Sequence, residues 1–73
     1  MKITFKQIIE DYDFTQLKEH VYYVDFEDES VELYTFGSHY IVRVETPSCG
    51  AINIMTCNSV TELYDALSRS VHC

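Results

Sequence analysis

Alternation of apolar and polar side chains through the middle of the chain constrains the fold more than any other feature. Four segments show a period of two residues and are rich in β-branched and aromatic side chains: residues 21–26, 31–36, 40–46 and 52–56. Turn-forming residues separate these segments. The pattern predicts four β-strands that follow one another in an antiparallel meander.

The loop between the second and third segments is Gly37-Ser38, which fits a two-residue hairpin turn. Glu32 then meets Arg43, the only Lys or Arg in the four segments, and a slip of one residue removes this pair. The predicted pairs are Phe36 with His39, Thr35 with Tyr40, Tyr34 with Ile41, Leu33 with Val42, Glu32 with Arg43, and Val31 with Val44.

The turn between the first and second segments is placed over Asp28-Glu29. This turn predicts that Asp25 lies beside Glu32, a like-charge neighbour that costs free energy. The same turn places Tyr22 beside Thr35, Tyr23 beside Tyr34, Val24 beside Leu33, and Phe26 beside Val31.

The loop before the fourth segment decides which side chains of that strand face inward. A loop of odd length, residues 47–51, predicts that Ile52 and Ile54 share a face with Val42 and Val44. The sheet then has one consistently apolar face, formed by Tyr22, Val24, Phe26, Val31, Leu33, Val42, Val44, Ile52 and Ile54.

Helical signals flank the strands on both sides. A capping box at Thr4 predicts a helix over residues 4–12, and residues 14–19 are predicted to continue it or to form a separate helical turn. A second capping box at Ser59 starts the last helix. Its apolar stripe has helical spacing and consists of Val60, Leu63, Tyr64, Leu67 and Val71.

Together these elements predict a single domain of the α+β class spanning residues 1–73. Its order is α-β-β-β-β-α, and its sheet is a four-stranded antiparallel meander. Both helices are expected to cover the apolar face in a two-layer sandwich, because their stripes need an apolar surface to pack against. The opposite face of the sheet is then bare.

The bare face combines aromatic and acidic side chains, which is the composition of a contact surface. The predicted partner-binding residues are Tyr23, Asp25, Glu27, Asp28, Glu29, Glu32, Tyr34 and Phe36. The rest of the face is predicted to hold His39, Ile41, Arg43, Glu45, Asn53 and Met55. Two plainer interpretations stay open: acids that keep a wet sheet face soluble, and packing against an identical subunit.

The charge balance narrows the class of partner. Twelve acidic residues against five basic ones give a net charge of −7, so direct binding to a nucleic-acid backbone is disfavoured and a basic protein surface is favoured. No apolar run reaches the length of a membrane span, and the first residues do not resemble a signal peptide. We therefore expect a cytoplasmic protein without a membrane partner.

No catalytic or cofactor motif is present, so neither an enzyme nor a bound cofactor is expected. Cys49, Cys57 and Cys73 are an odd number without CxxC spacing, which indicates reduced thiols. A zinc site formed by these cysteines with His72 is disfavoured, because no two of the ligands have a knuckle spacing.

Size, charge and the mixed face lead to a functional hypothesis. The chain is expected to be a small inhibitor that docks on a basic, nucleic-acid-binding surface of another protein. Phage-encoded inhibitors of bacterial defence nucleases, of the anti-CRISPR and anti-restriction types, share this size and charge, and such a protein acts in the bacterial cytosol. The alternatives are an antitoxin or immunity protein that neutralises a basic toxin, and a homodimeric structural domain.

Overall fold

The computed structural model describes residues 3–26 and 28–70. Within them the chain forms two helices and a five-stranded antiparallel sheet, an α+β arrangement in which sheet order follows chain order. The elements are α1 (Phe5–Asp11), β1 (Thr15–Lys18), β2 (Val21–Phe26), β3 (Glu29–Phe36), β4 (His39–Thr46), β5 (Ala51–Cys57) and α2 (Val60–Ser70).

Both predicted helix starts are confirmed by their caps. The Thr4 hydroxyl accepts a hydrogen bond from the Gln7 backbone N–H at 3.2 Å, and the Ser59 hydroxyl accepts one from the Glu62 N–H at 3.1 Å. The Glu62 carboxylate accepts in turn from the Asn58 N–H at 3.4 Å. These bonds satisfy backbone donors that have no partner in the first turn of a helix.

The prediction of helix over residues 14–19 is wrong, because this segment forms the additional strand β1. Asp13 has a left-handed φ of 63°, which turns the chain out of α1, and the Phe14 side chain is buried. Thr15–Lys18 then pairs with β2, with a register shift between Gln16 and Lys18. A segment of four residues is too short to show a clear period. Its conformation is decided instead by backbone pairing along the edge of β2.

The register of the β3–β4 hairpin is confirmed at all six predicted pairs. Gly37, the first residue of its two-residue loop, has a φ of 60°, a conformation that glycine adopts without steric cost.

The β2–β3 register differs by two residues from the prediction. Phe26 pairs with Glu29 instead of Val31, so the turn between β2 and β3 is two residues shorter than predicted. A shift of two leaves every side chain on its predicted face, because the side-chain period is two. It changes each neighbour: the observed pairs are Tyr22 with Leu33, Tyr23 with Glu32, Val24 with Val31, and Asp25 with Ser30.

The β4–β5 prediction is wrong about which face the isoleucines occupy. Thr46 pairs with Ala51, so the loop has an even length, and it closes through Gly50 at a φ of 67°. Met55 and Asn53 therefore lie opposite Val42 and Val44, while Ile54 lies opposite Arg43 and Ile52 opposite Glu45.

One face of the sheet, which we call the inner face, packs against both helices. Helical side chains Ile8, Leu63 and Leu67 are fully buried in the same cluster as strand residues. The Phe5 ring lies 5.3 Å from that of Tyr22 and 5.4 Å from that of Tyr40. The strand residues of the cluster are Val24, Val31, Leu33, Val42, Val44 and Cys57.

Candidate functional site: the open sheet face

The other face of the sheet, the open face, carries the alternate side chains of the same strands. These side chains alternate along each strand with those of the buried cluster, and the strand pairings show which of them are neighbours. On β2–β5 they are Val21, Tyr23, Asp25, Ser30, Glu32, Tyr34, Phe36, His39, Ile41, Arg43, Glu45, Ile52, Ile54 and Thr56.

An ion pair occupies the centre of the open face. The Arg43 guanidinium lies 2.9 Å from the Glu32 carboxylate and 3.6 Å from that of Glu45. The Arg43 and Glu32 side chains are each only about a third exposed, at 33% and 28%. Their charges are therefore less screened by water than those of a fully exposed pair, and the centre of the face is nearly neutral.

An apolar half lies on the side of the β3–β4 loop. The rings of Tyr34 and Phe36 are stacked with centroids 6.5 Å apart, and Ile41 is the cross-strand neighbour of Tyr34. Phe36 is 55% exposed, although it is a large apolar side chain. Burial, and then the charge and hydrogen bond of Glu32, raise the pKa of Tyr34 above its ordinary value.

An acidic end lies on the side of the β2–β3 turn. The Tyr23 hydroxyl donates to the Ser30 hydroxyl at 3.4 Å, which donates to the Asp25 carboxylate at 2.9 Å. Asp28 is exposed in the turn, and Glu45 stands opposite Ser30. The negative charge of the face is thus concentrated at this end rather than spread along the strands.

Most of the predicted partner-binding residues lie where the sequence places them. Asp28 is exposed, while Glu27 lies outside the described residues. The predicted contact between Asp25 and Glu32 is absent, because Ser30 is the neighbour of Asp25. The residues found on the open face as predicted are Tyr23, Asp25, Glu32, Tyr34 and Phe36.

Glu29 corrects the prediction, because its side chain is not part of the open surface. It is 6% exposed and shares the inner parity of its partner Phe26. Its carboxylate accepts a hydrogen bond from the Thr46 hydroxyl at 3.4 Å. The tighter turn makes Glu29 the first residue of β3 instead of a turn residue, which directs its side chain inward.

Sequence reasoning missed two residues of the open face, Ile52 and Ile54, and placed Asn53 and Met55 there instead. The isoleucines are 53% and 65% exposed. A signal was available in the loop, since Pro47 and Gly50 bound a four-residue turn in which the Cys49 N–H donates to the Thr46 carbonyl at 3.1 Å.

Among the described residues, the Cys57 thiol and the His39 ring lie on opposite faces of the sheet. Cys57 is buried in the core on the inner face, and burial, followed by the charge of Glu62, raises the pKa of its thiol. His39 stands on the open face and hydrogen-bonds the Asn58 side chain at 3.0 Å. Among the described residues, no group of three or more His, Cys, Asp and Glu side chains has a geometry suited to a metal ion.

The open face is therefore an exposed surface on which apolar and charged side chains are mixed. No family model, no curated protein and no solved structure matches this chain. Neither helix of the described region has the length and apolar character needed to cross a membrane.

Proposed function

We propose that this chain is a non-catalytic protein-binding inhibitor that docks its open face on a basic surface of a partner protein. The observation that carries the proposal is the exposure of the Phe36 ring, which stacks on Tyr34, on a face that also carries carboxylates. An exposed apolar patch with polar neighbours is the usual composition of a protein contact surface.

The apolar half supplies the contacts that a partner would bury. Aromatic side chains near the centre of an interface dominate its binding energy when water is excluded from them. The stacked pair of Tyr34 and Phe36 presents such rings, and the stacking restrains both of them before binding. Restraint of this kind reduces the entropy lost on association.

The acidic end supplies the preference for a basic partner. Asp25, Asp28 and Glu45 stand at one end of the face, and Arg43 is the only Lys or Arg on β2–β5. Carboxylates spaced along neighbouring strands resemble phosphates electrostatically, so a surface that normally binds nucleic acid is the favoured target. We expect the chain to act in the bacterial cytosol, as phage-encoded inhibitors of defence nucleases do.

Charge reversal at the acidic end tests this proposal. Tagged wild-type protein captures its partner from a bacterial lysate, and Asp25→Lys/Asp28→Lys is expected to lose the captured protein. The matched control is Glu10→Lys/Asp11→Lys, which changes net charge equally on α1, away from the open face. This control is expected to retain the partner. Added salt is expected to weaken the wild-type complex, because exposed charges are screened.

A second variant, Phe36→Ala, separates the apolar contribution from the charge contribution. We expect it to weaken capture of the same protein at every salt concentration. Equal capture by wild type and all three variants would contradict the proposal and would make the acidic end a means of maintaining solubility. Far-UV circular dichroism of each variant shows whether a loss of capture is a loss of folding.

A further inference from the structure

The strand β5 forms one edge of the sheet and pairs only with β4. Its first four residues, Ala51, Ile52, Asn53 and Ile54, are exposed although they lie alternately on the two faces. This half of the strand is therefore uncovered on both faces and along its edge. Backbone N–H and C=O groups on such an edge are available to pair with another strand.

The opposite edge of the sheet shows how a strand is protected from such pairing. β1 has four residues, its register is irregular between Gln16 and Lys18, and Lys18 places a charge on it. Short length, irregularity and charge each discourage pairing with another chain. β5 has seven residues in one continuous register with β4, and it contains neither Pro nor a charged residue.

The charge pattern indicates which partner strand suits this edge. Residues 46–61 form the longest stretch of the chain without a charged side chain, and β5 is the only helix or strand of the described region that has none. A chain with a net charge of −7 repels its own copies unless they meet at a neutral surface. The β5 edge is such a surface.

We propose that β5 pairs with β5 of a second copy of this chain, antiparallel and about a two-fold axis at Asn53. This register places Ile52 of one copy opposite Ile54 of the other, twice, on the open face. It also places the two Asn53 side chains opposite each other, where one amide can donate to the other. β-branched pairs across strands and matched amides both stabilise a sheet.

The product is a continuous ten-stranded antiparallel sheet, formed from two five-stranded sheets. A two-fold axis perpendicular to the sheet keeps both open faces on the same side. The exposed isoleucines are covered at the junction, while Tyr34 and Phe36 remain free in each copy. The inference therefore does not rest on the proposed function, because foreign binding and self-pairing use different parts of the surface.

Sedimentation equilibrium across a range of concentrations measures the self-association directly. Wild type is expected to reach twice the 8.5 kDa monomer mass as its concentration rises. Ile54→Lys places like charges beside the axis and is expected to weaken association at least tenfold. The matched control, Thr15→Lys, adds the same charge to the open face of the β1 edge and is expected to remain dimeric.

Two further variants separate edge pairing from other modes of dimerisation. Phe36→Lys disrupts a dimer formed face to face and leaves an edge dimer intact. In a Cys49→Ser/Cys73→Ser background, Asn53→Cys is expected to form a disulfide between copies, because directly opposed residues of antiparallel strands lie within disulfide range. Thr56→Cys is the control, since the register places residue 56 far from its counterpart.

Several results would overturn the proposal. One is that the wild-type protein remains monomeric up to a chain concentration of about 1 mM, because any dissociation constant above that value means very weak self-pairing. A second is a dimer that Phe36→Lys abolishes and Ile54→Lys does not. A third is cross-linking at position 56 instead of position 53, which would exclude the register. Circular dichroism at low concentration confirms that each variant folds.

Discussion

The two faces of this sheet are built from the same strands and differ in almost every physical respect. On the inner face, Val31, Leu33 and Val42 are completely buried under the two helices. On the open face, Glu32 and Arg43 form an ion pair between isoleucines and tyrosines that remain partly or largely exposed. Consecutive residues such as Leu33 and Tyr34 thus belong to different environments.

The difference teaches that alternate residues of one backbone can separate the buried core from a surface of quite different chemistry. The inner face supplies the burial that stabilises the fold, at about 1.5–3 kcal/mol for each large aliphatic side chain removed from water. The open face adds little burial and so is able to carry an unusual mixture of charges and apolar groups. Variants of the open face are therefore expected to fold, while variants of the inner face report on stability.

The largest expected effect comes from truncating the same kind of side chain on each face. Leu33→Ala is expected to lower the free energy of unfolding by about 2–5 kcal/mol, because it leaves a cavity in the core. Ile54→Ala is expected to change it by less than about 0.5–1 kcal/mol, since this side chain is 65% exposed. Urea denaturation followed by circular dichroism measures both, at a concentration where the protein is monomeric. Similar losses in the two variants would remove the distinction between the faces.

The next effect concerns the ion pair at the centre of the open face. Glu32→Gln is expected to destabilise the fold by about 1 kcal/mol, because it weakens a charge-assisted hydrogen bond in a partly buried position. Asp65→Asn is the comparison, since it weakens an exposed pair with Arg69 on α2 and is expected to cost about 0.3–0.5 kcal/mol. Denaturation at low and high salt measures both, and equal costs would show that the open face screens charge like ordinary surface.

The central hairpin was predictable because three independent signals agree there. The two-residue loop at Gly37, the alternation of β3 and β4, and the opposition of Glu32 and Arg43 select one register. The caps of both helices were also readable, since they depend on local hydrogen bonds of Thr4 and Ser59. Such features are encoded within a few residues and need no knowledge of the rest of the fold.

Elsewhere the sequence pattern left the answer open. Alternation cannot distinguish registers that differ by two residues, so Asp25 was paired with Glu32 instead of Ser30. Alternation also does not determine the length of a loop. An error of one residue in the β4–β5 loop therefore predicts the wrong face for Ile52 and Ile54. The four residues of β1 were too few to show a period at all.

Most of the candidate site was nevertheless predictable, because it depends on the strands whose parity was read correctly. Tyr23, Asp25 and Glu32 kept their face through the two-residue shift in register. The exception was Glu29, whose position at the start of β3 depends on the length of the turn. The open face is therefore less acidic and more aliphatic than the sequence indicates.

The smallest effect to measure is the titration of Tyr34, which reports how far the open face excludes water. Burial is the main cause of its raised pKa, and the charge and hydrogen bond of Glu32 add to it. The stability linked to this phenol is complete below its unfolded pKa of about 10 and is lost as pH rises through the higher folded value. Tyr34→Phe is therefore expected to make stability fall less steeply in alkaline solution than it does in wild type.

The absorbance of tyrosinate as a function of pH measures this ionisation directly. Tyr34→Phe is expected to remove the component assigned to this residue, and Tyr64→Phe, on α2, is expected to leave that component in place. Glu32→Gln/Arg43→Gln removes both the charge that raises the pKa of Tyr34 and the charge that lowers it. This pKa is expected to stay raised in the double variant, because burial, the largest cause, remains. A complete return to the ordinary value in this double variant would mean that the open face is as well solvated as any surface. The two faces would then differ only in how much apolar surface they bury, and a less polar environment would not strengthen the Glu32–Arg43 ion pair.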